Sequence, residues 1–204
     1  MRVLHLVSGL MLGGGQQVAL SLAEGLGRRA GIAAEVGLLG CTEERLRDAT
    51  AFVIDYDGNY ASPVSLALAA AQLRAALRRR HFDLVHSHGW DADIVARWAL
   101  ADRPEPQLVH LHVTPGWIHS GALKHRVRRA MTRRLFAAPS VGMAAVADAV
   151  RAHWAGVFPK TAGKMRVLHN GVDVDRFRPL AEPQSRRADM QPVIIGTACR
   201  LAPQ

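Results

Sequence analysis

Short apolar runs rich in valine, leucine and isoleucine alternate along the chain with longer stretches of helical periodicity rich in alanine, leucine and arginine. Most of the apolar runs lack apolar/polar alternation, which is typical of strands covered on both faces. This order predicts an α/β fold with βαβ units on a mostly parallel sheet. The predicted strands are Val3–Ser8, Ala34–Leu39, Phe52–Tyr56, Leu84–His88, Leu108–His112, Ser140–Val146 and Arg166–His169.

The stretches between the strands place apolar residues on one side of a helix. Examples are the stripe of Val18, Leu22 and Leu26 and the stripe of Leu66, Leu73 and Leu77. An aspartate, Asp148, is suited to cap the last helix. The predicted helices are Gln17–Arg28, Pro63–Arg80, Asp91–Leu100, Gly121–Leu135 and Asp148–Trp154.

The chain becomes polar and irregular after Arg178 and then resumes with the apolar run Val193–Gly196. This pattern predicts a first domain over 1–178, an interdomain linker over 179–192 and the first strand of a second domain over 193–204. A single strand cannot build a core, so we expect the molecule to be cut short.

The formal charge is +9, from 26 Lys and Arg against 17 Asp and Glu, which favours anionic partners such as nucleotide diphosphates, lipid headgroups or nucleic acid. Nucleic acid is not expected, because the sequence has neither a recognition-helix signature nor aromatic residues interleaved on a basic strand. The chain contains no long uninterrupted apolar run, and its N-terminus reaches glycines too soon for a signal peptide. We therefore expect a cytoplasmic protein, and Cys41 and Cys199 lack the spacing of a metal site.

Three glycines, Gly13, Gly14 and Gly15, stand between the first predicted strand and the first predicted helix. Glycines at this position let the backbone approach a ligand closely, and the helix N-terminus favours a phosphate. The spacing matches neither the dinucleotide fingerprint nor the Walker pattern. Taken alone, the segment is also consistent with a flexible turn.

Two histidines, His88 and His112, stand at the carboxyl ends of predicted strands, and His86 and His110 precede them by two residues on the same faces. Ligands of parallel α/β sheets bind in the crevice outside these strand ends. Either a hydrogen-bonded structural role or a ligand-binding role fits these histidines. A zinc site needs a third ligand, and the sequence shows no clear cluster that supplies one, so no metal is expected.

Four segments follow one another along the chain: Gly13–Gln16, Phe82–His88, Val167–Asp173 and Gly196–Leu201. In this order they resemble the retaining glycosyltransferases of GT-B fold in sequence family 4, which includes sucrose synthases and bacterial mannosyl- and glucosyltransferases. The segment Val167–Asp173, followed by Phe177 and Pro179, is the most specific of the four. The resemblance spans nearly the whole chain and implies the N-terminal, Rossmann-like, doubly wound domain of a GT-B enzyme.

The resemblance also implies roles for individual residues. The three glycines would lie against the donor diphosphate and the transferred sugar, and the catalytic residue would be His112, hydrogen-bonded to the donor sugar. A second donor contact would be Arg200, which neutralises the leaving diphosphate, so that no metal or other cofactor is required. We expect the acceptor to lie against Gln16, His88, Trp90 and Trp117.

The sequence also departs from the family pattern. It ends at Gln204, before the lysine that follows the arginine in the family, and it lacks the paired glutamates of the second domain. We therefore expect the chain alone to be inactive. Ala147 stands where the family often has a helix-capping serine, and Asp148 is the expected substitute.

The segment 124–134 is strongly basic, with Leu123, Val127, Met131 and Leu135 on its apolar side. It is suited either to an anionic membrane surface or to a phosphorylated lipid acceptor. The alternative is that the apolar side packs on the sheet and the arginines are simply solvated.

The function that the sequence favours is transfer of a sugar from a nucleotide-diphosphate donor to an acceptor hydroxyl with retention of configuration. One alternative is a sugar-nucleotide epimerase or hydrolase of the same architecture. Another is a non-enzymatic, basic α/β binding module. The acceptor is open among saccharides, lipid-linked molecules and small molecules, because variable loops select it.

Overall fold

The computed structural model describes residues 1–9, 13–41, 50–59, 62–175 and 177–178. Within these ranges, seven strands form one sheet with the order β3-β2-β1-β4-β5-β6-β7, and every pair of neighbours is parallel. The chain runs outward from β1 in one direction and then, after β3, crosses to the other side, which is the doubly wound arrangement. The strands are β1 Arg2–Gly9, β2 Ala33–Cys41, β3 Phe52–Ile54, β4 Leu84–His88, β5 Gln107–Leu111, β6 Val141–Ala145 and β7 Met165–Val167.

Helices connect these strands. In α2, Ser62 caps the N-terminus by accepting the Ser65 N–H at 3.2 Å, and Pro63 follows it where no amide hydrogen is needed. The α-helices are α1 Gly14–Gly27, α2 Pro63–Arg79, α3 Trp90–Ala99, α4 Leu123–Ala137 and α5 Asp148–Val157, and the 3-10 helices are Gly116–His119 and Pro159–Lys164.

The predicted parallel α/β sheet and all predicted helices are confirmed, with ends that differ by a few residues. One difference matters for the site: β5 ends at Leu111, so His112 lies just beyond it. The predicted cap by Asp148 is wrong. The capping position belongs to Ala147, and Asp148 is the first residue of α5, where its charge interacts favourably with the helix dipole.

The two faces of the sheet carry different residues, because side chains alternate along each strand. Leu4, Leu6 and Val85 point to one face and belong to the large hydrophobic cluster that includes residues of α2, α3 and α4. On the opposite face, Val7 packs with Ala19 of α1. The predicted α1 stripe of Val18, Leu22 and Leu26 is only half-buried.

The end of β1 approaches the neighbouring strand very closely. Its register against β2 shifts between Ser8 and Gly9. A Cβ atom at Gly9 would lie 2.3 Å from the carbonyl oxygen of Gly40, well inside van der Waals contact. Only glycine therefore fits at this point, directly before the turn that leads to α1.

Two compact units divide the chain, Met1–Asn170 and Gly171–Gln204. The described part of the second unit is a turn in which Asp173 accepts the N–H groups of Asp175 and Phe177. The predicted linker 179–192 and strand 193–204, with Cys199 and Arg200, lie outside the described residues, as does the Cys41 side chain. The domain boundaries stay a prediction. In the described ranges no helix has the length and apolar character needed to cross a membrane.

We expect Leu73→Ala to lower the free energy of unfolding by about 2–5 kcal/mol, because the side chain is fully buried in α2 and its removal leaves a cavity. Urea denaturation monitored by circular dichroism measures this. Leu68→Ala is the control on the same helix: its side chain is 60% exposed, so its effect should stay within about 0.5 kcal/mol. Equal effects of the two variants would contradict the assigned core face of α2.

Candidate active site at the carboxyl edge of the sheet

The glycine turn opens directly onto the N-terminus of α1. Gly13 is the capping residue, with extended backbone at φ −148°, and the first helical turn contains no acidic residue. A Cβ atom at Gly14 would meet nothing within 4 Å among the described residues. The space beside Gly14 is therefore free of described residues, and the first amide groups of α1, like those of any helix, have no partner within the helix, which favours anions at helix N-termini.

His112 lies beside this turn. A Cβ atom at Gly15 would be 3.6 Å from Cδ2 of the His112 ring, so ring and turn are on the same side of the sheet. This juxtaposition is the geometric premise of the predicted active site. It arises because β1 and β5 are parallel strands whose carboxyl ends, with β4 between them, meet at one edge.

Gln16 connects α1 to the end of β1. Its Nε2 donates a hydrogen bond of 2.8 Å to the carbonyl oxygen of Ser8. Its amide therefore holds the helix in place against the strand. Contact of Gln16 with an acceptor stays a prediction.

Five imidazoles lie side by side on one face of the sheet, and we call them the histidine row. The register places His5 opposite His86 and His88 opposite His110, so the rings share a face. Neighbouring ring centroids are 4.3–5.5 Å apart. The row consists of His5, His86, His88, His110 and His112, and it ends with His112 beside the glycine turn.

Three of these rings are connected by hydrogen bonds. Nδ1 of His5 lies 3.2 Å from Nε2 of His88, and Nδ1 of His88 lies 3.0 Å from Nε2 of His112. His88 is therefore buried beneath His112, with both nitrogens facing other histidines. Its predicted acceptor contact is untested, and the structure places it one ring away from the open side of the site.

An arginine is held between the two tryptophans that the sequence singled out. The guanidinium carbon of Arg128 lies 4.3 Å from the ring centroids of both Trp90 and Trp117. The indole N–H of Trp90 donates to the Thr132 hydroxyl at 2.9 Å. These residues and His112 line a cavity of about 140 Å³ beyond the ends of β4 and β5. In the sequence, Arg128 is one cation of the basic segment 124–134, and nothing there indicates its position between the two tryptophans.

Comparison with known proteins identifies the family. The model of Glycosyltransferase Family 4 matches residues 12–176 of the chain. The chain belongs to this family. Its parallel sheet and flanking helices are those of the Rossmann-like N-terminal domain of GT-B glycosyltransferases.

Two curated relatives of this glycosyltransferase domain are D-inositol 3-phosphate glycosyltransferases. The protein of Kineococcus radiotolerans is 31% identical over 129 residues, which cover 60% of the chain and 29% of that protein. The protein of Streptomyces avermitilis is 31% identical over 126 residues, which cover 57% of the chain and 26% of that protein. The matches therefore span less than a third of either relative.

Solved structures share the fold at lower identity. Anabaena HepE in complex with UDP superposes with a TM-score of 0.64 at 18% identity, covering 89% of the chain and 47% of HepE. The UDP-GlcNAc 2-epimerase of Neisseria meningitidis superposes with a TM-score of 0.59 at 16% identity, covering 83% of the chain and 47% of the epimerase. Both likenesses concern the fold.

Burial keeps the histidine row of the glycosyltransferase domain neutral. Desolvation lowers the pKa of His5 to about 4 and, together with the neighbouring imidazoles, lowers the pKa of His110 to about 4. It lowers the pKa of His88 well below the ordinary value and lowers that of His112 as well. At neutral pH each ring therefore carries one N–H donor and one bare nitrogen.

The histidine row also contains two groups of three imidazoles with metal-binding spacing. In His5–His86–His88 and in His88–His110–His112, one nitrogen from each ring lies within 4.8 Å of the others. Neutral imidazole is the form that binds zinc and similar ions, so these residue types fit a transition metal. His5 is not recognisable from the sequence as a third imidazole, because the register that brings β1 beside β4 is not visible there. The expectation that no metal is needed stays a prediction.

The first turn of α3 carries two acidic residues that sequence reasoning also missed. Gly89 adopts φ +98°, a conformation that favours glycine, and so directs the chain from His88 into α3. The carboxylate of Asp91 accepts the N–H of Ala92 at 3.0 Å. Burial raises the pKa of Asp91 and raises that of Asp93 well above the ordinary value. Burial therefore favours the protonated, uncharged form of Asp93 over the carboxylate.

We expect stability to fall as the pH falls from 6.5 to 4. In this range an unfolded chain protonates His5, whose ordinary pKa is 6.5, whereas the folded chain does not until about pH 4. The unfolded state then binds more protons, so the free energy of unfolding decreases. The contribution of His5 should be on the order of 2–3 kcal/mol. Urea denaturation at pH 7, 6, 5 and 4 measures it.

His5→Gln, which does not titrate, should reduce this pH dependence by the share of His5, while the other buried histidines of the row keep theirs. His119→Gln is the matched control because His119 is exposed, and it should leave the dependence unchanged. A dependence that is equally steep in His5→Gln and the wild type would show that His5 is not protected from protonation.

Proposed function

We propose that the protein transfers a sugar from a nucleotide-diphosphate donor to an acceptor hydroxyl with retention of configuration. The observation that carries this proposal is the position of the His112 ring against Gly15, beside the open N-terminus of α1. It supplies a hydrogen-bonding imidazole and an anion-binding backbone at one place. Membership of Glycosyltransferase Family 4 supports the transferase activity.

The glycine turn is suited to the donor diphosphate. When the bond between sugar and phosphate breaks, negative charge develops on the leaving diphosphate, and preorganised amide groups stabilise it. Arg200, which lies outside the described residues, is the proposed cationic partner. The structures of HepE with UDP and with UDP-glucose support a nucleotide-sugar donor for a protein of this fold.

His112 is the proposed hydrogen-bonding partner of the donor sugar. In a retaining transfer the acceptor hydroxyl attacks from the side of the leaving group, and we propose that the diphosphate takes its proton. The domain then contributes by positioning the two substrates. None of these steps requires a metal, and activity in the presence of EDTA would support this part of the proposal.

The cavity around Arg128 is the proposed acceptor side of the site. Its tryptophans, Trp90 and Trp117, provide apolar surface, and the guanidinium between them provides positive charge. This combination suits a polar acceptor that carries a phosphate. The two relatives named for D-inositol 3-phosphate make a phosphorylated polyol the first acceptor to test.

Epimerase activity is the main alternative, because a UDP-GlcNAc 2-epimerase shares the fold. The family match over residues 12–176 and the two glycosyltransferase relatives favour transfer. Incubation of the full-length protein with UDP-GlcNAc and no acceptor separates the two. An epimerised sugar nucleotide in the NMR spectrum would favour the alternative.

We expect Gly14→Ala to weaken UDP binding at least tenfold. The added methyl group would project into the open space in front of the helix N-terminus, where we place the diphosphate, while no described residue lies within 4 Å to clash with it. Isothermal titration calorimetry with UDP measures the change. Gly25→Ala is the control: it lies on the same helix with equally open surroundings, so UDP affinity should change less than twofold.

Equal UDP affinity of the two alanine variants and the wild type would contradict the placement of the diphosphate. Transfer itself is tested in the full-length protein with UDP-glucose and an inositol phosphate, with the anomeric configuration of the product read by NMR. Inversion of configuration would disprove the retaining assignment. Turnover by the 204-residue chain alone would contradict our expectation that it is inactive.

We also propose that the first half of α4 contacts an anionic membrane surface from the cytoplasmic side. Leu123 is 73% exposed and Val127 is 48% exposed, whereas Leu135 at the other end of the same stripe is buried. Lys124 and Arg126 are exposed beside the apolar pair. Exposed apolar residues flanked by cations are typical of helices that lie on membranes.

We expect the double variant Lys124→Gln/Arg126→Gln to bind anionic vesicles more weakly, by roughly 1 kcal/mol for each cation removed. Co-sedimentation with vesicles of phosphatidylcholine and phosphatidylglycerol measures this. Arg78→Gln/Arg79→Gln removes two exposed cations from the end of α2 and should have little effect. Binding that does not depend on the phosphatidylglycerol content would rule out the membrane contact.

A further inference from the structure

A chain of two hydrogen bonds connects the proposed catalytic histidine to the interior of the domain. We propose that His5 and His88 are positioning residues that fix the tautomer of His112, with the proton on Nδ1 and the bare nitrogen at Nε2. The contribution of this tautomer to catalysis depends on the proposed function. The hydrogen-bond chain itself does not.

The hydrogen-bond chain from His5 to His112 permits only two arrangements of protons. Each neutral imidazole carries one N–H, and each of the two contacts needs one donor and one acceptor. In the first arrangement, Nδ1–H of His5 donates to His88, and Nδ1–H of His88 donates to His112. In the second, Nε2–H of His112 donates to His88, and Nε2–H of His88 donates to His5.

His5, at the buried end of the hydrogen-bond chain, decides between the two arrangements. Nε2 of His5 is buried and has no hydrogen-bond partner within the described residues. The second arrangement places an N–H at this nitrogen, whereas the first leaves a lone pair there. Among buried backbone groups, unpaired N–H donors are rarer than under-satisfied acceptors, and the same preference applied to the ring nitrogen of His5 favours the first arrangement.

The other two histidines of the row do not change this choice. Nε2 of His86 and both ring nitrogens of His110 are buried without a hydrogen-bond partner in the described part of the chain. His86 and His110 take no part in the two hydrogen bonds in either arrangement. The free-energy cost of their unpaired nitrogens is therefore the same in both. The preference therefore comes from His5.

The favoured arrangement determines what His112 offers to a ligand. Its Nε2 accepts from His88, and its half-buried ring presents Nδ1–H as the remaining hydrogen-bonding group. His112 then donates a hydrogen bond to an oxygen of the donor sugar. It is not arranged as a base, because its bare nitrogen is already occupied by His88. Hydrogen bonding at one ring nitrogen sets the tautomer of the other in the same way at many catalytic and metal sites.

The test is the protonation state of each histidine nitrogen in ligand-free protein at pH 7. Protein labelled with 15N-histidine is measured by long-range 1H–15N NMR, which distinguishes protonated from bare ring nitrogens. We expect protonated Nδ1 and bare Nε2 in His5, His88 and His112. A protonated Nε2 in His112 would overturn the proposal.

Two substitutions of His88 separate its positioning role from simple packing. His88→Asn retains an N–H donor near the position of Nδ1 and should keep His112 protonated at Nδ1. His88→Leu fills the space without a donor and should release His112 to the Nε2–H tautomer. His119→Gln, on the exposed surface, should leave the His112 signals unchanged. Identical His112 tautomers in the Asn and Leu variants would overturn the proposal, and the wild-type spectrum decides it if either variant fails to fold.

Two further measurements complete the test. UDP-glucose binding should weaken roughly threefold to tenfold in His88→Leu and should be restored in His88→Asn. If the NMR result holds but UDP-glucose does not bind even the wild type, the proposed function fails and the hydrogen-bond chain stands. Stoichiometric binding of Zn²⁺ that shifts the His5, His88 and His112 signals would show that these histidines form a metal site and not a hydrogen-bond chain. This result would overturn the proposal.

Discussion

Burial of four imidazoles and half-burial of a fifth on one face of a parallel sheet is the constraint on which the site depends. Removed from water, these rings must stay neutral, and each neutral ring has a single proton to share. The strand register brings them together, so the positions of β1, β4 and β5 determine how His112 is held. Because buried His5 is connected through His88 to His112 beside the glycine turn, the interior and the site form one hydrogen-bonded structure.

The features that the sequence predicts correctly are those with a local cause. Apolar runs and helical periodicity give the elements, and the parallel arrangement brings Gly15 and His112 to one edge. The features that it misses depend on which strand lies beside which. His5 is an isolated histidine until β1 pairs with β4, and Arg128 is one of many arginines until α4 places it between two tryptophans.

The net charge of +9 overstates the positive surface that is free to meet a partner. Arg2 and Arg80 both pair with Glu35. Arg129 donates to the carbonyl oxygens of Ile118 and Ser120, which holds the 3-10 helix against α4. Several cations are thus used to join elements of the domain, and the charge that matters for binding is the local charge around α4 and the cavity.

The close approach of Gly9 to Gly40 has a consequence for engineering the specificity of this domain. Position 9 accepts no side chain, since any Cβ atom would overlap the carbonyl oxygen of Gly40. A mutant library aimed at new donors should leave it unchanged. Gly14 has free space around it, so a substitution there leaves the scaffold intact and acts only on what binds beside the helix N-terminus.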